Sequence, residues 1–129
     1  MPATPEAEEI EKVKAAWLAA VEAGDVDGLM SLATDDVVAM HPSGKTTHGK
    51  EQLADDFRQF FAKFRMEQTV TCEESIVAGE WAFDRSRVIT KLLPLGGGEP
   101  SEIRSRAVVI LRRSADGSWK VARTIAVLG

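Results

Sequence analysis

The chain has no tyrosine, one cysteine and two histidines among its 129 residues, and its apolar runs, such as Ala107 to Leu111, are short. Each shortage excludes something. A lone cysteine, Cys72, cannot build a disulfide framework within the chain or a thiolate metal cluster. Neither His41 nor His48 stands in an HxH or HxxxH pattern, so no metal site is expected. Runs this short cannot cross a membrane as helices. Met1 to Glu9 is polar, acidic and proline-containing, without the apolar stretch of a secretory signal. The expected compartment is therefore the cytoplasm. Lysine and arginine form no basic stripe, and aromatic interleaving is scarce, which argues against a nucleic-acid partner.

What remains is the composition of an ordinary globular protein, 44% hydrophobic and 28% charged, long enough for one domain with one core. We therefore treat residues 1–129 as a single domain. Net charge is −4, with acid concentrated in the first half and arginine in the second.

Thr4-Pro5-Glu6 reads as a helix start, with a hydroxyl cap, proline at the first helical position and acid in the first turn. Ile10, Val13, Trp17 and Val21 recur at helical spacing. Gly24 ends that helix, and Asp25 caps a short second one through Leu29, Met30 and Leu32. A strand over 36–41 runs into the turn Pro42-Ser43-Gly44. From Lys50, the residues Leu53, Phe57, Phe60, Phe61 and Phe64 again follow helical spacing and should anchor the helix layer. Four strands follow over 66–78, 81–93, 102–113 and 119–128, joined by short links that include the hairpin signal Ala115 to Ser118. Helices first and strands afterward predict an α+β fold, with three N-terminal helices on a curved, mostly antiparallel sheet. In that reading the sheet and helices form a cone that encloses a pocket.

The segments 19–38 (AAVEAGDVDGLMSLATDDVV), 41–53 (HPSGKTTHGKEQL), 79–83 (GEWAF) and 115–124 (ADGSWKVART) resemble the nuclear transport factor 2-like superfamily, especially its SnoaL-like and ketosteroid-isomerase-like members. The resemblance covers nearly the whole chain and implies the cone fold, a small-molecule ligand, no cofactor and a homodimer formed through the outer sheet face. It is weak for activity, because the superfamily hosts isomerases, dehydratases, cyclases, hydrolases and non-catalytic modules. Against ketosteroid isomerase, Trp17 stands where that enzyme has its oxyanion-hole tyrosine. His41 stands at its general-base aspartate, and Val109 falls near its protonated aspartic acid. The familiar route of steroid isomerisation is therefore not implied.

His41 is the candidate catalytic residue, because histidine exchanges protons near neutral pH. Arg85 and Arg87 share one face of their strand with Trp81 and Phe83, and the resemblance turns that face inward. They become candidate ligand-binding residues, together with Trp17, Phe57 and Val109. Arg104 and Arg106 have the opposite parity to Ile103, Ser105, Ala107, Val109 and Leu111, so they are expected outside, paired with acids such as Asp84 or Glu73. Cys72 reads as a structural thiol, and Gly96-Gly97-Gly98 as a hairpin loop. Two functions are left open. One is a cofactor-independent enzyme moving protons on a small, partly apolar, anionic or carbonyl-bearing ligand. The other is a non-catalytic binding or dimerisation module.

Overall fold

A computed structural model describes residues 4–129. The first three residues of the acidic N-terminal stretch lie outside the described residues. Helix α1 spans Pro5–Ala23. The Thr4 hydroxyl accepts the Ala7 N–H at 3.1 Å, satisfying a donor that the first helical turn leaves free. Gly24 closes the helix in the left-handed conformation at φ 67°, with its N–H returned to helix carbonyls. The Arg65 guanidinium packs over the spot that a Cβ there would occupy. Helix α2, Val26–Ser31, begins at Asp25, whose carboxylate accepts the Gly28 N–H at 2.9 Å. Helix α3 covers Lys50–Phe61.

The strands are β1 (Ala33–Met40), β2 (Thr46–His48), β3 (Phe64–Ala78), β4 (Trp81–Pro94), β5 (Ser101–Arg113) and β6 (Trp119–Leu128). They form one six-stranded sheet in the order β2-β1-β6-β5-β4-β3. Strands β3 to β6 are the expected antiparallel meander. The sheet is mixed, however, because β1 lies parallel to β6. The short strand β2, unforeseen from the sequence, folds back on β1 as a hairpin around the Pro42-Ser43-Gly44 turn. The ladders are interrupted by one extra residue at Glu73 in β3 and one at Ala122 in β6, bulges of the kind that bend and twist a sheet.

The core has two centres. Ala20, Val21, Leu29, Val37, Leu53 and Phe61 form one between the helices and β1. Ile10, Ala82, Leu111, Trp119 and Val121 form the other, beneath the first half of α1. Trp17 packs against both. The phenylalanine row only partly fills the core. Phe61 is buried, while Phe57 and Phe60 stay half-exposed on a cavity wall. Phe57 and Phe61 stack with centroids 5.6 Å apart, which stiffens that wall.

Asp36, Arg112 and Trp81 tie the outer face together. Arg112 donates to both Asp36 carboxylate oxygens, at 2.9 and 3.3 Å, while its guanidinium lies over the Trp81 ring. The Arg112 hydrogen bonds, with added attraction from Arg123, lower the Asp36 pKa from 3.8 to about 2. A carboxyl held lower in the folded than in the unfolded chain gives stability that is present above the unfolded value and lost as pH falls through the folded one. Asp36→Asn should therefore flatten the dependence of Tm on pH between about 4 and 2. Because Asp36 is more than half exposed, the wild-type loss over that window should be no more than about 1 kcal/mol. Unchanged pH dependence in the variant would contradict this.

Candidate functional site

The concave side of the sheet and the helices border two neighbouring, partly open lobes that share the Gln68 side chain. The larger, about 480 Å³, is lined by His41, Lys45, Asp56, Phe57, Phe60 and residues of β3 to β6. The smaller, about 210 Å³, lies against α1 and is lined by Lys14, Trp17, Asp84, Val109 and mostly apolar neighbours. Trp17 and Phe57 meet edge to face, with centroids 6.3 Å apart, each ring on the wall of a different lobe.

His41 follows β1 at the inward parity of Val37 and Ala39. The hairpin turn fixes its backbone, with its N–H given to the Lys45 carbonyl at 2.9 Å and its own carbonyl accepting Gly44 N–H. The ring is fixed too. Its Nε2 lies 3.1 Å from the Thr47 hydroxyl, which in turn lies 2.6 Å from an Asp56 oxygen. An ionised carboxylate can only accept, so Thr47 donates to Asp56 and its lone pair receives Nε2–H. That direction selects the tautomer protonated on Nε2 and leaves the Nδ1 lone pair free to take a proton. Thr47, the middle of this chain of hydrogen bonds, is fully buried, while the His41 ring and the Asp56 carboxylate are partly exposed. Burial works to raise the Asp56 pKa, but hydrogen bonds from Thr47 and Lys45 and the nearby charges bring it below the ordinary value. Asp56 thus remains an acceptor at neutral pH.

The smaller lobe holds a charged pair. Lys14 Nζ lies 3.0 and 3.2 Å from the two Asp84 oxygens and 2.9 Å from Glu11. Asp84 is 4% exposed, and its Oδ1 also lies 3.6 Å from the Cys72 sulfur.

Arg85 and Arg87 are not in either lobe. They do share a face with Trp81 and Phe83, but it is the outer face. Arg85 pairs with Glu73 and Glu74, and Arg87 with Glu73. The inward side of β4 carries Ala82, Asp84, Ser86, Val88 and Thr90, all buried. The grouping by parity holds, but the resemblance that turned this face inward gave it the wrong side of a sheet that is apolar on both faces. Asp84, expected outside as an arginine partner, is therefore inside, and Arg104 pairs with Glu102 instead. Of the remaining sequence candidates, His41 and Phe57 line the larger lobe, while Trp17 and Val109 line the smaller one. Among the described residues, no three His, Cys, Asp or Glu side chains converge as metal ligands, and no helix is long and apolar enough to cross a membrane.

The SnoaL-like domain family matches residues 15–122. The chain belongs to that family. Solved structures similar to this SnoaL-like domain include a conserved protein from Planctomyces limnophilus, 32% identical, with a TM-score of 0.87 over 96% of this chain and 98% of that one. A ketosteroid isomerase-like protein from Erwinia carotovora is 27% identical, with a TM-score of 0.87 over 98% of each chain. A candidate dehydratase of the NTF2-like family from Streptomyces avermitilis is 23% identical, with a TM-score of 0.84 over 98% of this chain and 99% of that one, a likeness of fold alone. No curated protein matches.

Among the polar residues in and behind this SnoaL-like domain's cavity that sequence reasoning missed are Lys14, Thr47, Asp56 and Asp84. Two left a signal. Lys14 interrupts the apolar stripe of α1, four residues after Ile10 and three before Trp17, where a surface lysine would not fall. Asp84 alternates with Ala82, Ser86 and Val88, an acid set among small inward positions. The Thr47–Asp56 contact joins a short strand to a helix and had no sequence signature.

Proposed function

We propose that this protein is a cofactor-independent enzyme of the SnoaL-like kind, with His41 as the general base acting on a small, partly apolar, carbonyl-bearing molecule in the larger lobe. The observation that carries this reading is the Thr47–Asp56 chain behind His41. A buried hydroxyl backed by a carboxylate, together holding one ring tautomer, is the arrangement by which a base is oriented and its charged form stabilised once the proton arrives. Phe57, Phe60, Met66 and Leu92 supply apolar wall for the body of the ligand. Lys45, paired with Asp56 at 3.1 Å at the edge of the same lobe, supplies positive charge near a developing oxyanion. The test is deuterium exchange α to the carbonyl in a panel of one- and two-ring cyclic ketones, followed by NMR. Exchange accelerated by the wild-type protein and lost in His41→Ala supports the reading, and exchange that survives the substitution overturns it.

A second copy of the chain is the proposed partner, on the outer face of the sheet. There Phe83, Val108, Ile110 and Ile125 are only half-buried, and Met40 and Val127 are exposed. A sheet apolar on both sides needs cover on both. Light scattering at tens of micromolar should give a dimer, and Val108→Arg a monomer. A wild-type monomer would refute the interface.

A further inference from the structure

The smaller lobe carries more than the proposed proton transfer uses. Its walls are mostly apolar, with Trp17, Val88 and Val109 beside the neutral Gln68, Ser86 and Thr124, and yet a lysine and an aspartate face each other within it. Burying an ion pair costs more in lost hydration than the two charges return, unless the pair is satisfied by further partners or is kept for a task. Here the partners are incomplete. Asp84 has room for about four hydrogen bonds. It receives the Lys14 ammonium and one weak contact from the Cys72 thiol. Burial works to lower the Lys14 pKa, but the hydrogen bonds to Glu11 and Asp84, with the Asp84 charge, raise it overall. The ammonium is therefore a permanent donor and not a nucleophilic amine.

Charge decides what can join this pair. An anion would meet Asp84 and Glu11, two carboxylates already gathered on one ammonium. A cation would compete with Lys14 for Asp84 and be repelled by it. A neutral hydroxyl suits both charges, donating its proton to the carboxylate and accepting from the ammonium. Size then decides what carries the hydroxyl. A dry apolar cavity of about 150 Å³ accepts benzene. The lobe, at about 210 Å³, has room for one six-membered ring with a small substituent, while a fused polycyclic skeleton would not fit within it. We infer that the smaller lobe is a binding site for a single neutral ring bearing a hydroxyl group, phenolic or alicyclic, whose O–H donates to Asp84 while Lys14 donates to its oxygen. The inference rests on the reading of the cone as a small-molecule site, though not on the role given to His41.

Phenol, toluene and benzoate, nearly equal in size, separate the alternatives. Their dissociation constants are to be measured by NMR titration of the Trp17 indole N–H, identified by its loss in Trp17→Phe. Phenol should bind about tenfold more tightly than toluene, the worth of one buried charge-assisted hydrogen bond, and benzoate should bind weakest. In the double variant K14M/D84L the preference for phenol should fall to within about twofold, with toluene binding kept and Tm equal or higher, since apolar residues of similar volume replace a buried pair without loss. The wild-type ranking tests the inference even where the double variant fails to fold. His41→Ala should leave all three constants unchanged, which separates this site from the proposed base. Toluene binding as well as phenol, benzoate binding tightest, no binding by any probe, or a phenol preference that persists in K14M/D84L would each overturn the inference. So would a loss of phenol affinity in His41→Ala, because phenol would then occupy the other lobe.

Discussion

Leu111→Ala is expected to cost about 3–5 kcal/mol of folding stability, near the top of the range for a single core truncation. Leu111 is 0% exposed, and its side chain sits where Ile10 of α1, Ala82 of β4 and Trp119 and Val121 of β6 converge. The loss has two parts, the transfer of the missing carbons from water and the cavity left behind. The second should be large here. Hydrogen-bonded strands on both sides hold the walls apart, and an indole cannot slide into a space shaped for an isobutyl group. For a chain of this length the loss corresponds to a fall in Tm of roughly 11–18 °C. Thermal and urea denaturation should agree on it, with Leu95→Ala, in the exposed loop after β4, close to wild type as a control. A cost below about 1 kcal/mol would mean that the first half of α1 does not seal this end of the sheet.

The same packing explains which parts of the molecule were legible in the sequence. Helix α1 announced itself because capping residues and apolar spacing agreed, as with Thr4 and Ile10-Val13-Trp17-Val21, and α3 through the spacing of Leu53, Phe57 and Phe61 without a side-chain cap. The β5–β6 hairpin did so because Asp116 and Gly117 have the chemistry that a tight turn demands. Alternation also gave the correct grouping of side chains on β4 and β5. What alternation cannot give is which group faces inward when both faces are apolar. On β5 the arginines marked the outside correctly. On β4 the resemblance turned the face of Trp81 and Phe83 inward, and the arginines went with it to the wrong side, while the small residues Ala82 and Ser86 line the inside. A cavity reverses the usual rule, since a strand that lines one needs small side chains there and can leave its large ones outside. Strand β2 escaped notice for another reason. Three residues are too few to show a period, and β2 gains its structure from pairing with β1.

The other large effect should appear in chemistry, with little change in folding. His41→Ala is expected to lower kcat for α-proton exchange by about 10²–10⁴, the usual contribution of a positioned acid–base group. Folding should be nearly unaffected. The backbone bonds that His41 makes to Lys45 and Gly44 do not depend on the ring, and the ring is half-exposed, so Tm should move by only a few degrees. Thr47→Val distinguishes a base that is held in place from one that is merely present. Valine keeps the shape of the threonine side chain but removes the hydroxyl between Nε2 and Asp56. The imidazole remains but loses its fixed tautomer and orientation, so kcat should fall by about ten- to a hundredfold, less than in His41→Ala. In the double variant the two losses should not add, because a relay behind an absent ring has nothing left to orient. If Thr47→Val lowers activity as much in the His41→Ala background as alone, the threonine acts independently of the histidine. The chain from His41 through Thr47 to Asp56 would then be structural, and the base would have to be sought elsewhere in the cone.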